Sequence, residues 1–216
     1  MALDIINSTD GRYIDLPENL QFNVGYEPTR MKDKNYVINQ ETDEVIGIVG
    51  NNFKCSTHQE FTDTFTKPLF SKLSTHDIDA MECKISTARN NGFMMLDLNF
   101  PTTKTTITTD TMAQNIGLRI VALHGVDGLC SNQVYFGAID FFCTNKQVTG
   151  EHDKIRKKNT SGFSIGGFLR EIENMNFDFK RHTDKLQEWA STPLNHVNVK
   201  NMLPSLMKSE RKSDKM

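Results

Sequence analysis

The stretch MECKISTARNNGFMMLDLNF, residues 81–100, decides the fold. Met81, Cys83 and Ile85 alternate with Glu82, Lys84 and Ser86, and beyond Asn90-Asn91-Gly92 the residues Met94, Leu96, Leu98 and Phe100 alternate with Met95, Asp97 and Asn99. A period of two on both sides of an Asn-Gly turn specifies an antiparallel hairpin with one apolar face. Toward the C-terminus, 102–111 has threonine at seven of ten positions, which suits an exposed β segment or an ordered loop. Residues 118–123 and 133–143 are strand-like, joined by His124-Gly125-Val126-Asp127-Gly128, whose glycines permit positive φ. Tyr135 and Phe136 fall on opposite faces of one strand, so only one of them meets the core.

Toward the N-terminus, YVINQETDEVIGIVG gives two further strands, 35–39 and 44–49. Ser56, with Gln59 three residues on, reads as a helix cap before Phe61, Phe65, Leu69 and Leu73, with Pro68 bending the helix. After a basic loop, 161–190 carries Phe168, Ile172, Met175, Phe179, His182, Leu186 and Trp189 at steps of three and four, the pattern of one long helix across the sheet. Thr192-Pro193 starts a final short helix to about Lys208. The expected class is therefore α+β, an antiparallel sheet of hairpins packed on one long helix. The partition is an amino-terminal arm at 1–34, one domain at 35–208 and a basic tail at 209–216.

The 216 residues, 37% hydrophobic and 24% charged, suffice for a core without disulfide or metal staples. The four cysteines, Cys55, Cys83, Cys130 and Cys143, lack zinc spacing and read as reduced thiols. No apolar run is long enough to span a bilayer and the N-terminus lacks the pattern of a secretory signal, so a cytoplasmic protein is expected. The net charge of −2 is uneven. Residues 1–80 hold 7 Lys and Arg against 13 Asp and Glu, and residues 81–216 hold 18 against 14. Two basic runs stand out, 154–158 and 208–215, both set among polar residues.

Chemistry-bearing motifs are sparse. There is no G-x-x-x-x-G-K-[ST] and no G-x-G-x-x-G after a strand, so nucleotide-fold signatures are missing despite Gly166-Gly167. His124, Asp127, Asp140 and His152 include the types that share a divalent cation or pass a proton, yet their spacing matches no ligand signature. The plainer reading has His124 and Asp127 holding a tight turn through side-chain to backbone bonds. The fourteen Phe, four Tyr and one Trp are mostly core, and the methionines fill gaps.

Residues 116–145, IGLRIVALHGVDGLCSNQVYFGAIDFFCTN, carry a resemblance. The run resembles the central segment of a phage/plasmid-like protein family of unknown function, in which a strand, an H-D-G-like turn, a second strand and a Cys-Thr-Asn end recur in this order. Here these are His124, Asp127 and Gly128, then Cys143, Thr144 and Asn145. The run VIGIVGNNF at 45–53 looks like that family's opening motif, and the match covers roughly residues 35–165. Gly125-Val126 interrupts the family's turn, and Asp140 stands where a basic residue is often found. The resemblance implies a phage or mobile-element origin.

The order of elements also looks like the β-β-β-α core of Rad-type single-strand annealing recombinases, whose rings hold extended DNA by its backbone in a basic groove. That likeness implies a groove rim of Lys154, Arg156, Lys157 and Lys158 between sheet and helix, with Arg119 and Arg170 as further cations. The expectation is thus a non-enzymatic, homo-oligomeric protein that binds single-stranded DNA in recombination or replication, with no cofactor, no metal and no membrane association. The alternatives are a metal-dependent hydrolase centred on His124 and Asp127, and a structural or assembly protein of a phage particle.

Overall fold

In the computed structural model, which describes residues 5–8, 11–109, 113–139, 150–159, 164–174 and 179–193, the chain opens with a hairpin of β1 (Ile5–Ser8) and β2 (Gly11–Ile14). A 3-10 turn at Glu18–Leu20 follows, then β3 (Val24–Pro28), β4 (Lys34–Asn39) and β5 (Val45–Gly50), which form a small antiparallel sheet in that order. Helices α1 (His58–Lys72) and α2 (Thr75–Asp79) lead into the main sheet. That sheet comprises β6 (Glu82–Ala88), β7 (Phe93–Thr108), β8 (Ala113–Gly125), β9 (Asn132–Ile139) and β10 (Gly150–Lys157). Every strand of it pairs antiparallel with its chain neighbour, so among the described residues β6 and β10 are the two edges. Helices α3 (Ile165–Asn174) and α4 (Phe179–Ser191) complete the described chain. The class is α+β, as the period-two runs require.

Register shows why one face is the core. Met94, Leu96, Leu98 and Phe100 lie opposite His124, Ala122, Ile120 and Leu118, and Val134, Phe136 and Ile155 continue these rows into β9 and β10. All of them are buried. Helix α1 covers this face with Phe61, Phe65 and Leu69, spaced to share one side. Each removes roughly 2 kcal/mol worth of apolar surface from water. Phe168 of α3 stacks on Phe61 with ring centroids 5.5 Å apart. Phe179, Leu186 and Ala190 of α4 cover Ile107 and Ile116 farther along β7 and β8. As the alternation demands, Phe136 faces in and Tyr135 faces out.

Several local expectations are corrected. The cap of α1 is Thr57, not Ser56. Thr57 Oγ1 accepts the Glu60 amide at 3.1 Å, and the Thr57 amide donates to Glu60 Oε2 at 2.9 Å. Gln59, freed from capping, accepts from the Leu16 amide at 3.1 Å and donates to the Ile14 carbonyl at 2.9 Å. These bonds tie down the segment expected as an arm, and Ile14, Leu16 and Leu20 enter the main core. The basic loop is a strand, β10. Its outward positions carry charge and only Ile155 marks the inner face, so the apolar alternation is too short to show. Of the long helix expected over 161–190 the structure describes α3 and α4, with 161–163 and 175–178 outside the described residues, and the fully buried apolar helical side chains on the core are Phe61, Phe65 and Leu69 of α1 together with Phe168 of α3. Trp189, placed on the buried stripe by its spacing, is 54% exposed, with Lys185 Nζ 5.1 Å from its ring centroid. The expected short helix after Pro193, the tail at 209–216, Asp140, Met175 and the motif residues Cys143, Thr144 and Asn145 lie outside the described residues.

Candidate functional site

At one end of the main sheet the β6–β7 turn, the β8–β9 turn and the start of α1 converge. Arg89, Asn90 and Asn91 all adopt left-handed φ, at 54°, 50° and 60°, and this aims the Asn91 carbonyl inward. His58 Nε2 donates to that carbonyl at 2.8 Å. A carbonyl only accepts, so His58 Nδ1 is the acceptor for His124 Nδ1–H at 2.7 Å. His124 Nε2 then accepts from Ser56 Oγ at 3.3 Å. One neutral tautomer on each ring satisfies the whole chain from hydroxyl to carbonyl. Phe61 stacks on His124 with centroids 4.5 Å apart, and Phe22 meets His58 edge-on at 5.7 Å.

Burial in this aromatic box pulls His58 down to about 4, against partial support from the Asn91 carbonyl and from Asp127. It drives His124 well below the ordinary histidine value, with His58 adding to the effect. A serine on a neutral imidazole is the first link of a nucleophile–base pair. Here Ser56 is 7% exposed and His124 0%, and neither lines a described hollow. The bonded chain is a closed polar strut that joins α1 to the β6–β7 turn and to the end of β8.

Asp127 does the turn-holding expected of it. Its Oδ1 accepts the Leu129 amide at 2.9 Å and its Oδ2 accepts Arg89 Nε, while Gly128 takes φ +82°. His124 does not hold the turn, because its ring points to the core. His124 and Asp127 therefore engage different partners. Among the described residues no group of three His, Cys, Asp or Glu side chains is placed to hold a metal ion. His152 lies in β10 opposite Gly137. Sequence reasoning missed His58, although residues 58, 61, 65 and 69 share one helical face.

The expected cations separate into distinct places. Lys154 and Arg156 are exposed at alternate positions on the outer side of the edge strand β10. Lys154 Nζ sits 4.5 Å from the Tyr135 ring centroid, and Arg156 Nε donates to Ser131 Oγ at 2.9 Å. Lys158 is exposed one residue past the strand. Lys157 is half-buried on the side of Ile155, across from the fully buried Asn132. Arg119 holds Asp97 with two bonds, at 2.8 and 2.7 Å, so its charge is already matched. Arg170 is on α3, in the helix layer, with Nε 3.4 Å from the Gly166 carbonyl. The rim expected between sheet and helix reduces to Lys154, Arg156 and Lys158 along one edge.

That edge runs into two adjoining hollows. One, about 320 Å³, is lined by Arg156, Lys158, Ser131, Cys130 and Gly128. The other, about 610 Å³, is lined by Asp33, Gly50, Asn51 and Asn52. Phe53 and Asn159 line both. Asn159 is pinned, because its Nδ2 donates to the Gly125 carbonyl at 2.7 Å and its Oδ1 accepts from Asn132 Nδ2 at 2.7 Å. These bonds fix the chain just after Lys158 against the β8–β9 turn. Cys130 is a poor nucleophile here, since partial burial raises its pKa. Among the described residues no helix is long and apolar enough to cross a membrane. Comparison of the chain with protein-family models, curated proteins and solved structures returned no match.

Proposed function

We propose that the chain binds single-stranded nucleic acid along the β10 edge, with phosphates held by Lys154, Arg156 and Lys158. The observation that carries this reading is the spacing of the cations. Same-side residues of a strand recur at about 7 Å, comparable to the step between successive phosphates of a stretched single strand. An edge strand leaves that row open on one side. Arg156 and Lys158 both line the smaller hollow, where the row ends. Arg119, matched by Asp97, contributes little, and Arg170 and Lys157 belong to other surfaces.

The test is titration of a short fluorescent single strand at 50 and 200 mM salt. Single strands give a slope near −0.7 per phosphate contact, so three contacts weaken binding about twentyfold over that range. The triple variant Lys154→Gln, Arg156→Gln, Lys158→Gln should flatten the slope by about 2 units, and Arg119→Gln should leave it as it is. Binding that ignores salt, or a triple variant indistinguishable from the parent, overturns the reading.

A further inference from the structure

We infer that the paired hollows are a nucleotide pocket, in which Phe53 stacks one base of the bound strand and Arg156 and Lys158 take the adjoining phosphate. This rests on the reading just given and adds base contact to it. Charge in the joined space is polarised: the two cations line the smaller hollow, and the only acid among the described residues lining the pair, Asp33, lines the larger. A phosphate is drawn to the first and repelled from the second. The larger end is left for the uncharged part of a nucleotide, with the Asn51 and Asn52 amides offering both donors and acceptors to a base edge. Phe53 stands between the two ends, where base and phosphate of one nucleotide meet. Volumes of about 320 and 610 Å³ are in the range of small-ligand sites.

The floor is rigid. Tyr26 meets Phe53 edge-on at 6.3 Å and is itself anchored to Cys55, whose amide donates to the Tyr26 hydroxyl at 3.2 Å. Asn159 is held on two sides as described above. A ring fixed in this way loses little freedom when a base stacks on it, which is the condition for stacking to contribute strongly.

The experiment compares an ordinary oligonucleotide with an abasic strand of equal length and charge, on the full chain at 50 mM salt. The abasic strand is expected to bind about ten- to a hundredfold more weakly. Phe53→Ala should bring the ordinary strand down to the abasic level, and Phe53→Tyr should retain tight binding. Because Phe53 is half-buried, Phe53→Trp serves as a second reporter, its fluorescence quenched by the ordinary strand and unchanged by the abasic one. Equal affinity for both strands, or no quenching at Trp, overturns the pocket while leaving phosphate binding intact. Failure of every strand to bind the parent overturns both.

Discussion

Lowering the pH from 7 to 5 should destabilise the fold through the His58–His124 pair. Both rings are held neutral, so the folded state resists protonation while the unfolded chain takes up protons near 6.5. The stability they confer is complete above that value and is lost as pH falls toward the folded-state value, which for His58 is about 4. At about 1.4 kcal/mol per pH unit, His58 alone accounts for a loss of about 2 kcal/mol at pH 5 relative to pH 7. His124 adds to it in the same direction. Asp127 opposes the effect on His58, because a nearby carboxylate favours the charged ring. Asp77, held low by bonds from Ser74, Thr102 and Thr103, is lost only below its ordinary value of 3.8 and does not enter this window.

The assay is urea unfolding followed by far-ultraviolet circular dichroism, since Trp189 is too exposed to report on the core. With a urea slope of about 2 kcal/mol per molar, the midpoint should fall by about 1 M or more. A chain bearing His58→Gln and His124→Gln should be less stable at pH 7 and show little of this slope. A parent midpoint that is level or rises between pH 7 and 5 refutes the neutral-pair assignment.

Asp127→Ala strands the Leu129 amide and unpairs Arg89; since Arg89 is partly exposed, a loss of about 2 kcal/mol is expected in the same urea assay. At Gly47 a Cβ would stand 2.6 Å from the Asp127 carbonyl oxygen, so Gly47→Ala should cost about 1–3 kcal/mol by forcing β5 off the β8–β9 turn, read as a lowered melting temperature. Phe65→Ala removes a ring with no exposure and should cost about 3–5 kcal/mol, with cavity binding of small apolar molecules as a corroborating measurement.

The hairpin at 81–100 was legible because Cys83 and Ile85, then Met94, Leu96, Leu98 and Phe100, put apolar side chains on one face of both strands and the turn residues Asn90 and Asn91 tolerate left-handed φ. The strain there falls on Arg89, Asn90 and Asn91. The helix at Phe61, Phe65 and Leu69 was legible for the same reason, and only its first residue slipped, since Ser56-x-x-Gln59 and Thr57-x-x-Glu60 are both capping-box patterns one residue apart. Strand β10 was not legible. A strand at a sheet edge buries one side at most, and a strand with three Lys and Arg and one isoleucine has the composition of a solvated loop. The segment before β3 was hidden differently, because what docks it is Gln59, forty-odd residues away, and no local pattern encodes such a bond. The His58–His124 strut fell in this second class as well, its members separated along the chain by two helices and the strands β6 to β8.

The charge on β10 has a second consequence. An unpaired strand edge invites another chain to extend the sheet, and outward lysines and arginines are what discourage it. Lys154 and Arg156 on β10, with Lys158 one residue past it, place such charges along this edge. Stripping them with apolar replacements would expose a bare ladder of amides and carbonyls to self-association, which is why glutamine is the replacement used above. A polyanion lying along the edge would screen the same three charges while itself covering that ladder.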